Sequence, residues 1–136
     1  MWSTPFVAEI TEVTRTRNEA AAHLRTQEVP EAQVADALLM LSELVTNAVY
    51  HGVQPLALRV VLSSGRIRVE VDDASTEPPV LRPIDPHRLG GMGMRIVDDL
   101  SDEWGCTATE VGKTVWFELA VAGRPAPAVD GRQTTA

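Results

Sequence analysis

The chain has 136 residues, 44% of them hydrophobic, and a formal net charge of −7 from 19 acidic and 12 basic side chains. That length suits one domain around a single core. An acidic balance with no basic patch argues against a nucleic-acid binder, which needs cations to displace counterions from phosphates. No apolar run approaches the roughly 18 residues of a spanning helix, so no membrane segment is expected. The opening residues, MWSTPFVAEITEV, lack the basic-then-apolar order of a signal peptide. Cys106 is the single cysteine and has no partner for an internal disulfide, and no Cys/His cluster has zinc spacing. A cytoplasmic setting is the expectation.

In chain order, residues 4–10 read as a short strand and residues 11–27, rich in Ala, Glu and Arg, as a helix. Pro30 suits the start of a second helix. Its apolar positions Val34, Leu38, Leu41, Val45 and Ala48 step by four and three, and Gly52 is placed to end it. Leu56, Leu58, Val60 and Leu62 alternate as a strand. After the turn Ser63-Ser64-Gly65, a second strand alternates Ile67, Val69 and Val71 with Arg66, Arg68 and Glu70. Residues 75–90 carry prolines at 78, 79, 83 and 86, and a loop of that length is commonly functional. The sequence from Met94 to Leu100 predicts a short helix, and residues 103–107 and 113–121 predict a last hairpin turning at Gly112. The domain is expected to end near residue 121, with a disordered tail over 122–136. This order predicts an α+β two-layer sandwich, helices on one face of a mixed sheet.

Four segments hold residues suited to chemistry. In the second helix Glu43 and Asn47 lie about 40° apart on one face, roughly opposite the apolar stripe. Alone, such a pair reads as a solvated polar face. Leu39 and Met40 flank it, however, so something is expected to cover that side. Asn offers an uncharged oxygen to Mg²⁺, and Glu can accept a proton from an attacking hydroxyl. Asp73 continues the inward series Ile67, Val69, Val71, whereas Asp72 points outward. An inward carboxylate needs donors, although a turn residue closing the strand is an equally simple reading. Gly90, Gly91 and Gly93 precede a helix whose free N–H groups could meet phosphate oxygens, or they form a plain flexible turn. The spacing fits neither a Walker A loop nor a dinucleotide fingerprint. In Gly112-Lys113-Thr114-Val115-Trp116-Phe117, Val115 and Phe117 share one face with Leu119, and Thr114, Trp116 and Glu118 share the other.

Taken in order, SELVTNAVYHG, VEVDDAS, GGMGMRIV and GKTVWFEL resemble the N box and the successive glycine boxes of the GHKL superfamily of ATP-binding domains, which includes DNA gyrase B, MutL and histidine kinases. The resemblance covers roughly residues 4–121 and is greatest to stand-alone anti-sigma-factor serine kinases and related actinobacterial regulators. It implies a histidine kinase-like ATPase (Bergerat) fold with ATP and Mg²⁺ as cofactors. Asn47 would hold Mg²⁺ against the phosphates, and Glu43 would be the general base. Asp73 would accept from the adenine amine with help from Thr114, and Gly91 and Gly93 would shape the phosphate end of a lid over 75–90. Arg82 or Arg88 of that lid could reach a phosphate. One departure is plain: the family's Asp-x-Gly-x-Gly reads Asp73-Ala74-Ser75-Thr76-Glu77.

The resemblance implies transfer of the ATP γ-phosphate to a serine of an anti-sigma-factor antagonist, the kinase alternatively sequestering a sigma factor. The other reading is an ATP-responsive interaction module without catalysis. A sensor histidine kinase is not expected, because no dimerisation helix pair bearing a phosphoacceptor histidine precedes Thr4. A homodimer through the N-terminal strand or first helix is an expectation that no residue pattern shows.

Overall fold

A computed structural model describes residues 1–77 and 93–121. The described elements run β1 (Trp2–Phe6), α1 (Thr11–Thr26), α2 (Glu31–His51), β2 (Leu56–Ser63), β3 (Arg66–Asp73), α3 (Gly93–Leu100), β4 (Glu103–Ala108) and β5 (Lys113–Ala120). The expected tail and, apart from Ser75, Thr76 and Glu77, the expected lid lie outside the described residues, as do Arg82, Arg88 and Gly91. The first strand sits earlier than its expected span of 4–10. It ends at Phe6 because the next peptide groups turn away, Val7 N–H donating to Glu12 Oε1 (3.2 Å) and Ala8 N–H to Gln54 Oε1 (2.8 Å).

The architecture is the expected α+β two-layer sandwich, with the helices covering one face of a five-stranded sheet of order β1-β2-β3-β5-β4. In place of a mixed sheet, every pairing among the described strands is antiparallel. The reason lies in the connections. With two helices between β1 and β2 the chain reverses three times, so β2 returns antiparallel to β1. One helix between β3 and β4 leaves those strands parallel, but β5 inserts between them and pairs antiparallel with both. The β2–β3 hairpin turns through Ser64 (φ 53°) and Gly65 (φ 74°), the left-handed pair whose twist matches its flanking strands.

Strand alternation decides what the helices bury. Leu58, Val60, Ile67, Val69, Val71, Val115, Phe117 and Leu119 all face the helices and are buried. The α2 stripe Val34, Leu38, Leu41, Val45 and Ala48 meets them and is buried as the spacing predicts. Small residues Ala20 and Ala21 on α1 let that helix lie close against α2.

Among the described residues no helix lies over the other sheet face, which is lined by its own side chains. Arg59 bridges Glu70 and Asp72, and Arg68 bridges Glu70 and Glu118. The Arg68 guanidinium lies over the Trp116 ring, 4.1 Å from its centroid. On its other side the indole takes the space above Gly105, where a Cβ would stand 2.8 Å from the ring. Trp116 is therefore only 8% exposed on a face that no described helix covers. Half-exposed ion pairs of this kind contribute little each, and their clearest effect is to fix the register of β2, β3 and β5.

Helix α1 ends in a left-handed cap. Glu28 has φ 60°, its N–H donates to the Arg25 carbonyl (3.0 Å), and Val29 N–H donates to the Leu24 carbonyl (3.2 Å). Leu24 and Val29, on either side of the turn, are both buried. Glycine is the residue this position favours. Glu28→Gly is therefore expected to raise stability by about 0.5–1 kcal/mol. Chemical denaturation checks this through a higher midpoint at constant slope, and a lower midpoint would contradict it.

Candidate functional site

The C-terminal half of α2 carries the first two site residues. Glu43 and Asn47 are both half-buried, one turn apart on the same side. Helix α3 packs against α2, and its first residue, Gly93, lies directly beside Glu43: a Cβ there would stand 3.1 Å from Glu43 Oε2. Any larger residue at 93 would press on that carboxylate. Met40 is fully buried, in keeping with the expectation that the polar pair has a covered neighbour, whereas Leu39 is 46% exposed. Burial holds the Glu43 carboxyl above the usual carboxylate range, because a charge there loses water. The Asn47 carboxamide makes no hydrogen bond to a side chain or backbone group among the described residues.

Beyond Asn47 the helix stops at Gly52. The reason is close approach rather than left-handed backbone, since φ is −80° and a Cβ would stand 2.6 Å from the Ala48 carbonyl oxygen. His51 ends the helix exposed. The chain then passes Val53, whose carbonyl accepts from Ala74 N–H (2.8 Å), just past the end of β3. That bond joins the end of α2 to the end of β3 and brings Asp73 to the same end of the sandwich as Asn47.

Asp73 points inward, as the alternation of β3 predicts, and is 6% exposed. Its Oδ1 accepts from Ser75 N–H at 2.6 Å, so the residue also closes a turn. Its Oδ2 stands 3.4 Å from Lys113 Nζ. Gly112 lies directly against the Asp73 backbone, where a Cβ would collide with the Asp73 carbonyl oxygen.

Thr114 departs from the expectation. It pairs with Asp72 in the sheet register, and its hydroxyl donates to Asp72 Oδ1 at 2.6 Å, on the face opposite Asp73. Strand parity is the reason, because positions 113, 115, 117 and 119 face the helices and 114 cannot. Lys113 therefore shares the inner face with Asp73, and the sequence reading missed it. The signal was present in the same alternation that turned Asp73 inward. The structure thus brings together Glu43 and Asn47 on α2 with Gly93 at the start of α3, and Asp73 with Lys113 at the strand ends. Thr114 sits behind the sheet, and Gly91 is outside the described residues.

Among the described residues no three His, Cys, Asp or Glu side chains group as a metal site. No helix among them is long and apolar enough to cross a membrane.

A family model described as the histidine kinase-like ATPase domain matches residues 6–119. Among solved structures, the RsbU and RsbW domains of Rv1364c from Mycobacterium tuberculosis superpose with a TM-score of 0.68 at 20% identity, over 98% of this chain and 36% of that one. That likeness is one of fold, and the present chain corresponds to about a third of the larger protein. The histidine kinase domain of a blue-light activated histidine kinase from Erythrobacter litoralis matches at 25% identity and a TM-score of 0.47, over 65% of this chain and 45% of that one. No curated protein matches the chain.

Proposed function

The chain belongs to the histidine kinase-like ATPase domain family, and from that premise we propose that it is an ATP-dependent serine/threonine protein kinase of the anti-sigma-factor type. It would transfer the γ-phosphate of ATP to a serine of an anti-sigma-factor antagonist, and in the alternative state hold a sigma factor. The observation that carries this reading is Glu43, a half-buried carboxylate against the first residue of α3, with its proton affinity raised by burial. Phosphoryl transfer to a hydroxyl leaves the protein mainly positioning and charge stabilisation to supply, plus one group to take the hydroxyl proton. Glu43 is suited to that last task, since a base with a raised pKa holds the proton better.

The remaining residues fit the nucleotide and its metal. Asn47 supplies a neutral oxygen one turn away, the kind of single protein ligand that Mg²⁺ accepts when phosphates complete its shell. Mg²⁺ bound there would offset the phosphate charge. Asp73, buried at the far end, would accept from the adenine amine, and Gly93 keeps the phosphate end clear of a side chain. A non-catalytic ATP-responsive module would need the base contact and the metal ligand but not a desolvated Glu43.

The test is incubation with ATP labelled at the γ-phosphate and a panel of candidate antagonist proteins. Label on a serine of one of them is the expected result. Absence of transfer to every candidate, with ATP bound, would return the protein to the interaction-module reading.

A further inference from the structure

Lys113 is the buried titratable group at this site that the phosphotransfer reading leaves without a task. It is the register partner of Asp73, on the helix-facing side, and only 7% exposed. Its ammonium stands 3.4 Å from Asp73 Oδ2 and donates to the Glu77 carbonyl oxygen. An ammonium has three donors and a carboxylate about four acceptor positions. Two of the Lys113 donors therefore have partners, and the third has none among the described residues. Asp73 gives one position to Ser75 N–H and one to Lys113, which leaves acceptor capacity over.

A buried ion pair is a poor device for merely holding two strand ends, because an apolar pair of similar volume usually does at least as well. A carboxylate and an ammonium side by side do suit one kind of ligand edge: a donor adjacent to an acceptor. Adenine has such an edge, where the exocyclic amine adjoins the ring nitrogen N1. Guanine carries a carbonyl oxygen and an N–H at those positions, the reverse polarity. We propose that Lys113 is a second base-reading residue, donating to N1 of adenine while Asp73 accepts from the neighbouring amine. This inference rests on the ATP-binding reading above and extends it to a residue that the family resemblance did not point to.

The test is calorimetric titration, in the presence of Mg²⁺, with ATP and with 1-deaza-ATP, in which a C–H replaces N1. Wild type is expected to bind ATP at least about tenfold more tightly, the ratio that a hydrogen bond from a charged donor supplies. Lys113→Met, checked for folding by its thermal transition, is expected to bind the two nucleotides equally. Equal affinity of wild type for both overturns the assignment without any variant and leaves ATP binding standing. A Lys113→Met protein that keeps the full preference for ATP overturns it too. If wild type binds neither nucleotide, the ATP reading fails and this inference falls with it.

Discussion

Glu43→Gln is expected to slow phosphoryl transfer by roughly 10²–10⁴-fold, the usual contribution of a positioned general base, while ATP affinity is unchanged. Glutamine keeps the shape that fits beside Gly93 but cannot take a proton. Because burial raises the Glu43 pKa, the acid limb of the transfer rate should lie above the ordinary carboxylate range. The base works deprotonated, so activity falls as pH drops through that raised value, and the limb should vanish in the variant. The stability sign runs the other way. A carboxyl whose folded pKa is raised favours the folded state most below its unfolded pKa, and that contribution is lost as pH rises through the folded value. At neutral pH Glu43 is thus a strain on the fold, and Glu43→Gln should be at least as stable as wild type. Single-turnover transfer at several pH values, with a parallel melting curve, checks all of this. Unaltered transfer by the variant would remove Glu43 from the chemistry.

The second large effect concerns the scaffold. Phe117→Ala is expected to cost about 3–5 kcal/mol, because the cavity left by a fully buried aromatic closes only in part. Phe117 is fully buried at the centre of β5, flanked in register by Val69 on β3 and Trp104 on β4. A domain of this size holds only about 5–15 kcal/mol in total, so the variant should unfold at far lower denaturant. Leu39→Ala, on a site that is 46% exposed, should stay within about 0.5 kcal/mol. Similar losses for the two would contradict the placement of the core.

What could be read from the sequence was whatever depends on local period. The α2 stripe, the alternation of β2 and β3, and the inward turn of Asp73 follow from spacing alone, and all three hold in the structure. Strand pairing depends on distant partners and was not legible. Nothing near Lys113 says that β5 enters between β3 and β4, and so the expectation of a mixed sheet gives way to an antiparallel one. The first strand lies earlier than the sequence predicts because its boundary is set by remote contacts, above all Ala8 N–H on Gln54. Thr114 is a different case. The motif resemblance pointed to it, while the parity of Val115, Phe117 and Leu119 already placed Lys113, not Thr114, on the Asp73 face. Where motif and periodicity disagreed by one residue, periodicity described the geometry.

In the proposed reading an inward carboxylate at the end of β3 recognises the base while Asn47, on α2, serves the metal end. Titrating ATP with and without Mg²⁺ into wild type and Asp73→Asn examines it most directly. Asparagine at 73 keeps the size but turns an amide N–H₂ toward a donor on the base. Wild type is expected to bind more tightly with Mg²⁺, and Asp73→Asn to lose at least about tenfold in affinity under both conditions while keeping the same gain from the metal. An Asp73→Asn protein that binds ATP as well as wild type would contradict that reading.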